Sequence, residues 1–358
     1  MGQPRKSQVS LEATPYYHVV SRCVRREFLC GSDPLTGRDY SHRRDWICQR
    51  LTQLVDVFAV DLCAYAVMSN HYHIVVRINE ASARAWTPRE VLKRWLTLFK
   101  GPAWMQEVVQ SGDEMASHPA MSFVVAAYRA RLMSLSWFMR CMNEPIARRA
   151  NREDEVSGHF WQGRYRSQPL LDEGALMAAM AYVDLNPLRA GRVARPEAAM
   201  HCSISRRFAD AAGARAKAIT DPELLEFPAP GERMSADAGL GVDATVFDYL
   251  ELIDWSGRFV SSRSASVIPA NTPPILNRLG LSAEDFAGCV TRQGSAGTME
   301  LAALGDPHSL GSWVNFLGRS HVKGCRLAAR MFKSAGGGNR CFSALRPAGH
   351  SQRPLPST

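Results

Sequence analysis

The eighteen residues Asp61–Ile78, read as DLCAYAVM, SN and HYHIVVRI, constrain the fold more than any other stretch. Two runs rich in β-branched and aromatic residues are separated only by Ser69-Asn70, a pair suited to a tight turn. They predict a β-hairpin, and a hairpin needs further strands and a covering layer to be stable. Alternation assigns Tyr72, Ile74, Val76 and Ile78 to the core face, and His71, His73, Val75 and Arg77 to the polar face. Residues i and i+2 on one face stand about 6.6 Å apart. Two imidazoles so placed can lean onto one divalent cation. The plainer reading is two unrelated surface histidines, and the pair alone does not choose between them.

The flanking sequence supplies the other elements. YYHVVSRCV (16–24) reads as a strand, and RRDWICQRLTQLVDVFAV (43–60) as an amphipathic helix. TPREVLKRWLTLF (87–99) opens with Thr87 at the N-cap and Pro88 at the first helical position. Residues 101–120 read as a loop. Residues 123–153 hold one or two helices, with Pro145 as a break or a new start. A strand is expected in 159–170, then a helix over 172–185 capped by Asp172 and ended near Asn186-Pro187. This order predicts an α+β domain of the ferredoxin-like kind, an antiparallel sheet with helices on one face.

Beyond residue 200 the pattern weakens. The expected organisation is a tail over 1–13, a main α+β domain over 14–200, a linker region over 201–242 containing the Pro/Ala/Gly-rich EFPAPGERMSADAGLGV, a largely helical extension over 243–333, and a disordered basic tail over 334–358. Helical segments are expected at 244–253 and around 273–290.

Charge is unevenly spread. Residues 1–200 hold 26 basic against 20 acidic side chains, residues 201–306 hold 9 against 14, and residues 307–358 hold 8 against none. A basic front and tail suit a polyanion, although solubility alone can produce the same pattern. Nine cysteines without a C-x-x-C pair predict reduced thiols in a cytosol rather than a disulfide framework or zinc knuckle. No apolar run reaches the roughly 18 residues of a membrane span, and the first residues lack the apolar core of a secretion signal.

Two further stretches offer chemistry. In AYVDLNPLRAG (181–191), Tyr182 and Asn186 lie four residues apart, so a helix stacks them on one face. An Asn186 carbonyl oxygen can ligate a hard or borderline cation. A tyrosine beside that cation is a candidate nucleophile toward phosphate. The plainer reading is a helix end with Tyr182 in the core. In RRANREDEVSGHFWQGRYRSQ (148–168), Arg148, Arg149, Arg152, Arg164 and Arg166 are interleaved with Phe160, Trp161 and Tyr165. Guanidinium groups hold phosphates and rings stack on unpaired bases. We place these five arginines, Trp161 and Arg77 in a candidate DNA-binding set; a solvated helix face followed by an amphipathic strand would look the same.

Taken in order, AYAVMSNHYHIVVRI, GHFWQGRYRSQPL and AYVDLNPLRAG resemble the REP-associated tyrosine transposases, a group within the single-tyrosine HUH transposases of bacterial insertion sequences. The resemblance spans roughly residues 14–195. It implies a ferredoxin-like HUH nuclease domain, His71 and His73 as metal ligands completed by Asn186, and Tyr182 as the nucleophile. It further implies attack on single-stranded or hairpin DNA, a 5′-phosphotyrosine link, a released 3′-OH and rejoining without ATP. A homodimer and a cytoplasmic location belong to the same expectation. The implied ion is Mg2+ or Mn2+ rather than Zn2+, because the set offers an amide oxygen and no thiolate. Two rival classes share these residues: a domesticated hairpin-binding regulator that no longer cleaves, and an HUH replication or conjugation initiator. Residues 201–358 match none of the quoted motifs.

Overall fold

The computed structural model describes residues 9–24, 29–33, 36–111, 121–193, 195–211, 222–228, 240–242 and 244–260. Four strands form one sheet: β1 (Tyr16–Arg22), β2 (Val60–Val67), β3 (His71–Ile78) and β4 (Arg166–Leu170). Their spatial order is β2-β3-β1-β4, and every neighbouring pair is antiparallel. With α1 (Arg43–Val57) between β1 and β2, this is the strand order of a ferredoxin-like sheet. The expected hairpin is β2–β3, closed by the Met68 amide donating to the His71 carbonyl at 2.8 Å. A β-bulge between Leu62 and Ala64 resets the alternation of β2.

The first face of the sheet is covered by α1 and by the long crossover between β3 and β4. That crossover holds α2 (Glu80–Ala85), α3 (Pro88–Leu98), α4 (Ala103–Ser111), α5 (Met121–Leu132) and α6 (Leu135–Glu153). Tyr17, Val19, Tyr72, Ile74 and Val76 pack here against Ile47, Leu51 and Leu54 of α1 and Phe138, Met139 and Met142 of α6. Each fully buried side chain of this size contributes about 1.5–3 kcal/mol. Thr87 caps α3 by accepting from the Glu90 amide at 3.2 Å, as its Thr-Pro signal predicts.

Two local expectations are corrected. Residues 103–111, read as loop, form α4, which buries Met105 and Val108 three residues apart on one side. Pro145 does not break α6. The Cys141 carbonyl, which a residue other than proline at 145 would have bonded, instead accepts from Arg50 Nε at 2.8 Å.

The second face is also covered, beyond the single helical layer expected. Here lie α7 (Glu173–Asp184), the short α8 (Asn186–Arg189), α9 (Ser203–Ala211) and α10 (Val246–Val260). Asp172 caps α7, its Oδ1 accepting from the Ala175 amide at 2.7 Å. Every residue of α7 from Gly174 to Asp184 is buried. Its alanines at 175, 178, 179 and 181 let it press closely between the sheet and the outer helices. Within the stretch expected as linker, α9 buries Ser203, Ile204 and Arg207, and α10 adds Tyr249, Leu252 and Ile253 to the same core. The helix expected near 273–290 and the basic tail lie outside the described residues. Among the described residues, Cys23, Cys30, Cys48, Cys63, Cys141 and Cys202 are buried and form no disulfide, and no helix is long and apolar enough to cross a membrane.

Candidate functional site

Strand register brings a third histidine to the pair. Val20 stands opposite His73 and Arg22 opposite His71, so His18 shares their face of the sheet. The face expected to be solvated is instead roofed by α7: His71 is 8% exposed, His73 1% and His18 0%. Tyr182 comes down from α7 with its ring 5.4 Å from that of His73 and 5.7 Å from that of His18. One turn later, Asn186 Nδ2 lies 3.2 Å from His73 Nε2. Its side chain also hydrogen bonds Tyr182, whose ring lies 5.4 Å beneath the Arg189 guanidinium. His71, His73, Tyr182 and the half-buried Asn186 therefore meet in one cluster, although the two pairs are more than 100 residues apart.

The remaining nitrogens decide what the cluster can hold. The His71 and His73 rings are 4.8 Å apart and nearly perpendicular. His71 Nδ1 is engaged by Asn70 Oδ1, whereas His71 Nε2 is buried without a hydrogen-bond partner. Burial lowers the pKa of His18 and His71 to about 4, with the Arg22 charge adding to the effect on His71. Burial and the neighbouring histidines hold His73 well below its ordinary value. All three are thus neutral at pH 7, the form that offers a lone pair to a metal. No group of three His, Cys, Asp or Glu side chains able to hold an ion occurs among the described residues. A cation here would rest on two imidazoles and an amide oxygen, and Asn186 would have to turn its oxygen toward it. Burial raises the pKa of Tyr182, opposed by Arg189 and by the Asn186 hydrogen bond, so the resting side chain is a phenol.

These shifts set a pH dependence. Between about 4 and the ordinary 6.5, the folded state binds fewer protons at His18 and His71 than the unfolded chain. Their contribution is fully present above pH 6.5 and is lost as pH falls toward 4. The metal-free protein should therefore lose on the order of a few kcal/mol across that window. Asp184, whose carboxyl is raised by burial, acts in the opposite sense. Urea midpoints measured from pH 7.5 to 4.5 test this: His71→Phe should flatten the wild-type slope, and a flat wild-type profile would contradict it.

The candidate DNA-binding set divides. Arg77 is corrected: it is buried, and its guanidinium pairs with Asp61 at 2.6 Å. Trp161 is half-buried, donating from Nε1 to the Asn143 carbonyl at 2.9 Å and packing edge-on against Tyr72. Arg148 pairs with Glu144, and the Arg149 guanidinium lies 3.8 Å from the Trp46 ring centre. Arg152, Arg164 and Arg166 are exposed. Arg166 stands opposite Val20, the residue that also faces His73, so it marks the edge of the histidine face. Sequence reasoning missed His18, Gln168 and Arg189. His18 repeats the oddity of an imidazole in an apolar strand, and Arg189 follows Tyr182 at i+7, two helical turns on.

A buried polar knot anchors α7 just past Tyr182. Asp184 accepts from Ser203 Oγ, and from Tyr249 Oη at 2.6 Å. Arg207 of α9 stabilises its charge. Ser203 Oγ also accepts from the Tyr65 amide of β2 at 2.9 Å. One carboxylate thus ties the helix carrying Tyr182 to the sheet, α9 and α10.

Fold and site together define an α+β protein with ferredoxin-like strand order and a His–Tyr–Asn cluster on one sheet face. No family model and no curated protein matches the chain. Among solved structures, a REP-associated tyrosine transposase bound to a REP hairpin is similar at 12% identity and a TM-score of 0.31, over 66% of this chain and 99% of that one.

Proposed function

We propose that the protein is a metal-dependent DNA strand transferase of the HUH type, acting on single-stranded or hairpin DNA. The observation that carries the reading is the meeting of His71 and His73 with Tyr182 and Asn186, the set that the sequence motifs single out. His71, His73 and Asn186 would hold Mg2+ or Mn2+; the orphaned His71 Nε2 and the neutral state of both imidazoles fit that role. The ion, when bound, would neutralise the oxygens of the scissile phosphate.

The chain's own groups carry the remaining steps. Tyr182 Oη attacks phosphorus, a 5′-phosphotyrosine bond forms, and the bond from phosphorus to the 3′ oxygen breaks. The leaving oxygen ends as a 3′-OH. Asn186 orients the hydroxyl, and the Arg189 guanidinium over the ring stabilises phenolate character as the proton leaves. In the reverse step a 3′-OH attacks the phosphotyrosine, so the bond energy is retained. Tyr182 is 2% exposed, so a phosphate reaches its hydroxyl only when surrounding side chains move.

That burial is also the observation favouring a second reading, a hairpin-binding regulator that no longer cleaves. One experiment separates the two. Full-length protein is incubated with labelled single-stranded and hairpin DNA libraries and Mn2+, then run under denaturing conditions. The transferase gives a covalent adduct that EDTA abolishes. Binding undiminished by EDTA, with no adduct across the library, would establish the regulator instead.

A further inference from the structure

We propose that His18 is a positioning residue that fixes the His73 tautomer, keeping the proton on Nδ1 and the lone pair on Nε2. The inference rests on the reading of His73 as a cation ligand and adds a group that reading does not use. His18 Nε2 lies 3.0 Å from His73 Nδ1, both rings fully enclosed and their planes 22° apart. In a bond between two imidazole nitrogens, only one carries the proton. The other side of His73 decides which. Asn186 presents its amide nitrogen to His73 Nε2 at 3.2 Å, and an amide NH2 group only donates. In this orientation of the amide His73 Nε2 accepts, and a neutral His73 carries its proton on Nδ1. His18 Nε2 then accepts that proton, and neutral His18 carries its own on Nδ1. Gln168 stands opposite His18 on β4, and His18 Nδ1 is buried without a hydrogen-bond partner. The hydrogen bonds run in one sense from Asn186 through His73 to His18.

The alternative arrangement shows what His18 does. With no acceptor at Nδ1, His73 would keep a buried N–H without a partner, a costly state. It would instead move the proton to Nε2 and meet the Asn186 oxygen after an amide turn. That tautomer occupies the very lone pair a cation needs. Partners behind a ligating histidine commonly change metal affinity by about 10–100-fold.

The test uses full-length protein with 15N-labelled histidine. At pH 7, imidazole 15N shifts should report His73 as Nδ1–H. In His18→Phe, which keeps the ring volume without the acceptor, the population should move toward Nε2–H, and Mn2+ affinity by electron paramagnetic resonance should fall about 10–100-fold. His18→Gln, whose carbonyl can accept from Nδ1–H, should restore part of both. Nε2–H in the wild type, or an unchanged tautomer and Mn2+ affinity in a folded His18→Phe, would overturn the proposal. If His18→Phe does not fold, the wild-type spectrum and His18→Gln decide. Nδ1–H without any Mn2+ binding would remove the ligand reading of His73 and leave the positioning role standing.

Discussion

Tyr182→Phe should reduce the covalent DNA adduct by at least about a thousandfold while leaving the protein folded, because it deletes the oxygen proposed as nucleophile and nothing else. The ring keeps its edge contacts with His73 and His18 and its place beneath Arg189. What is lost structurally is the hydrogen bond to Asn186, worth about 1 kcal/mol. Urea unfolding should thus shift little, and metal binding should survive. Other tyrosines of the sheet are poor substitutes. Tyr17 and Tyr72 point into the opposite layer, where their hydroxyls donate to the Ser10 carbonyl and to Asn143 Oδ1. The Tyr16 hydroxyl donates to the Leu240 carbonyl at 2.8 Å. An adduct retained at the wild-type level in Tyr182→Phe would move the chemistry to another residue and end the present assignment.

The sequence showed the hairpin, the inward face of Tyr72 and the capped helix of Tyr182 because each rests on local rules: alternation, turn residues and an N-cap. It misled on the other side of β3. A face written His, His, Val, Arg looks solvated, yet the imidazoles are neutral when buried and the Arg77 charge is balanced by Asp61. The roof over them, α7, is apolar all round, so its periodicity does not announce which side meets the sheet. His18 escaped notice because its partner lies 55 residues away, and register alone unites them. Residues 103–111 were misread because a short helix with only two buried side chains gives a weak pattern. The Asp184 knot is less legible still: its donors come from positions 203 and 249, in segments whose composition resembles connecting chain.

Ending the chain before residue 243 should therefore cost the stability of the site-bearing layer, on the order of 5 kcal/mol or more, which rivals the total stability of a domain. The deletion removes Tyr249, Leu252 and Ile253, all fully buried against α7. It also strips Asp184 of its Tyr249 donor and exposes the alanine-rich outer side of α7. We propose on this basis that the folding unit runs through α10 rather than ending near residue 200. Tyr249→Phe gives the finer measurement. It keeps the ring against Phe227, 5.1 Å away, but leaves the carboxylate short of one donor, for an expected loss of about 1–3 kcal/mol. Asp184→Ala should cost more than Tyr249→Phe, because Ser203 Oγ and Tyr249 Oη both lose their buried acceptor. Since Asp184 follows Tyr182 by two residues on the same helix, loosening it should also lower adduct formation in molecules that remain folded. Urea midpoints and adduct yields of the three variants test the argument together. A truncated chain with wild-type stability and full adduct yield would show that α10 is dispensable and that α7 is held by the sheet alone.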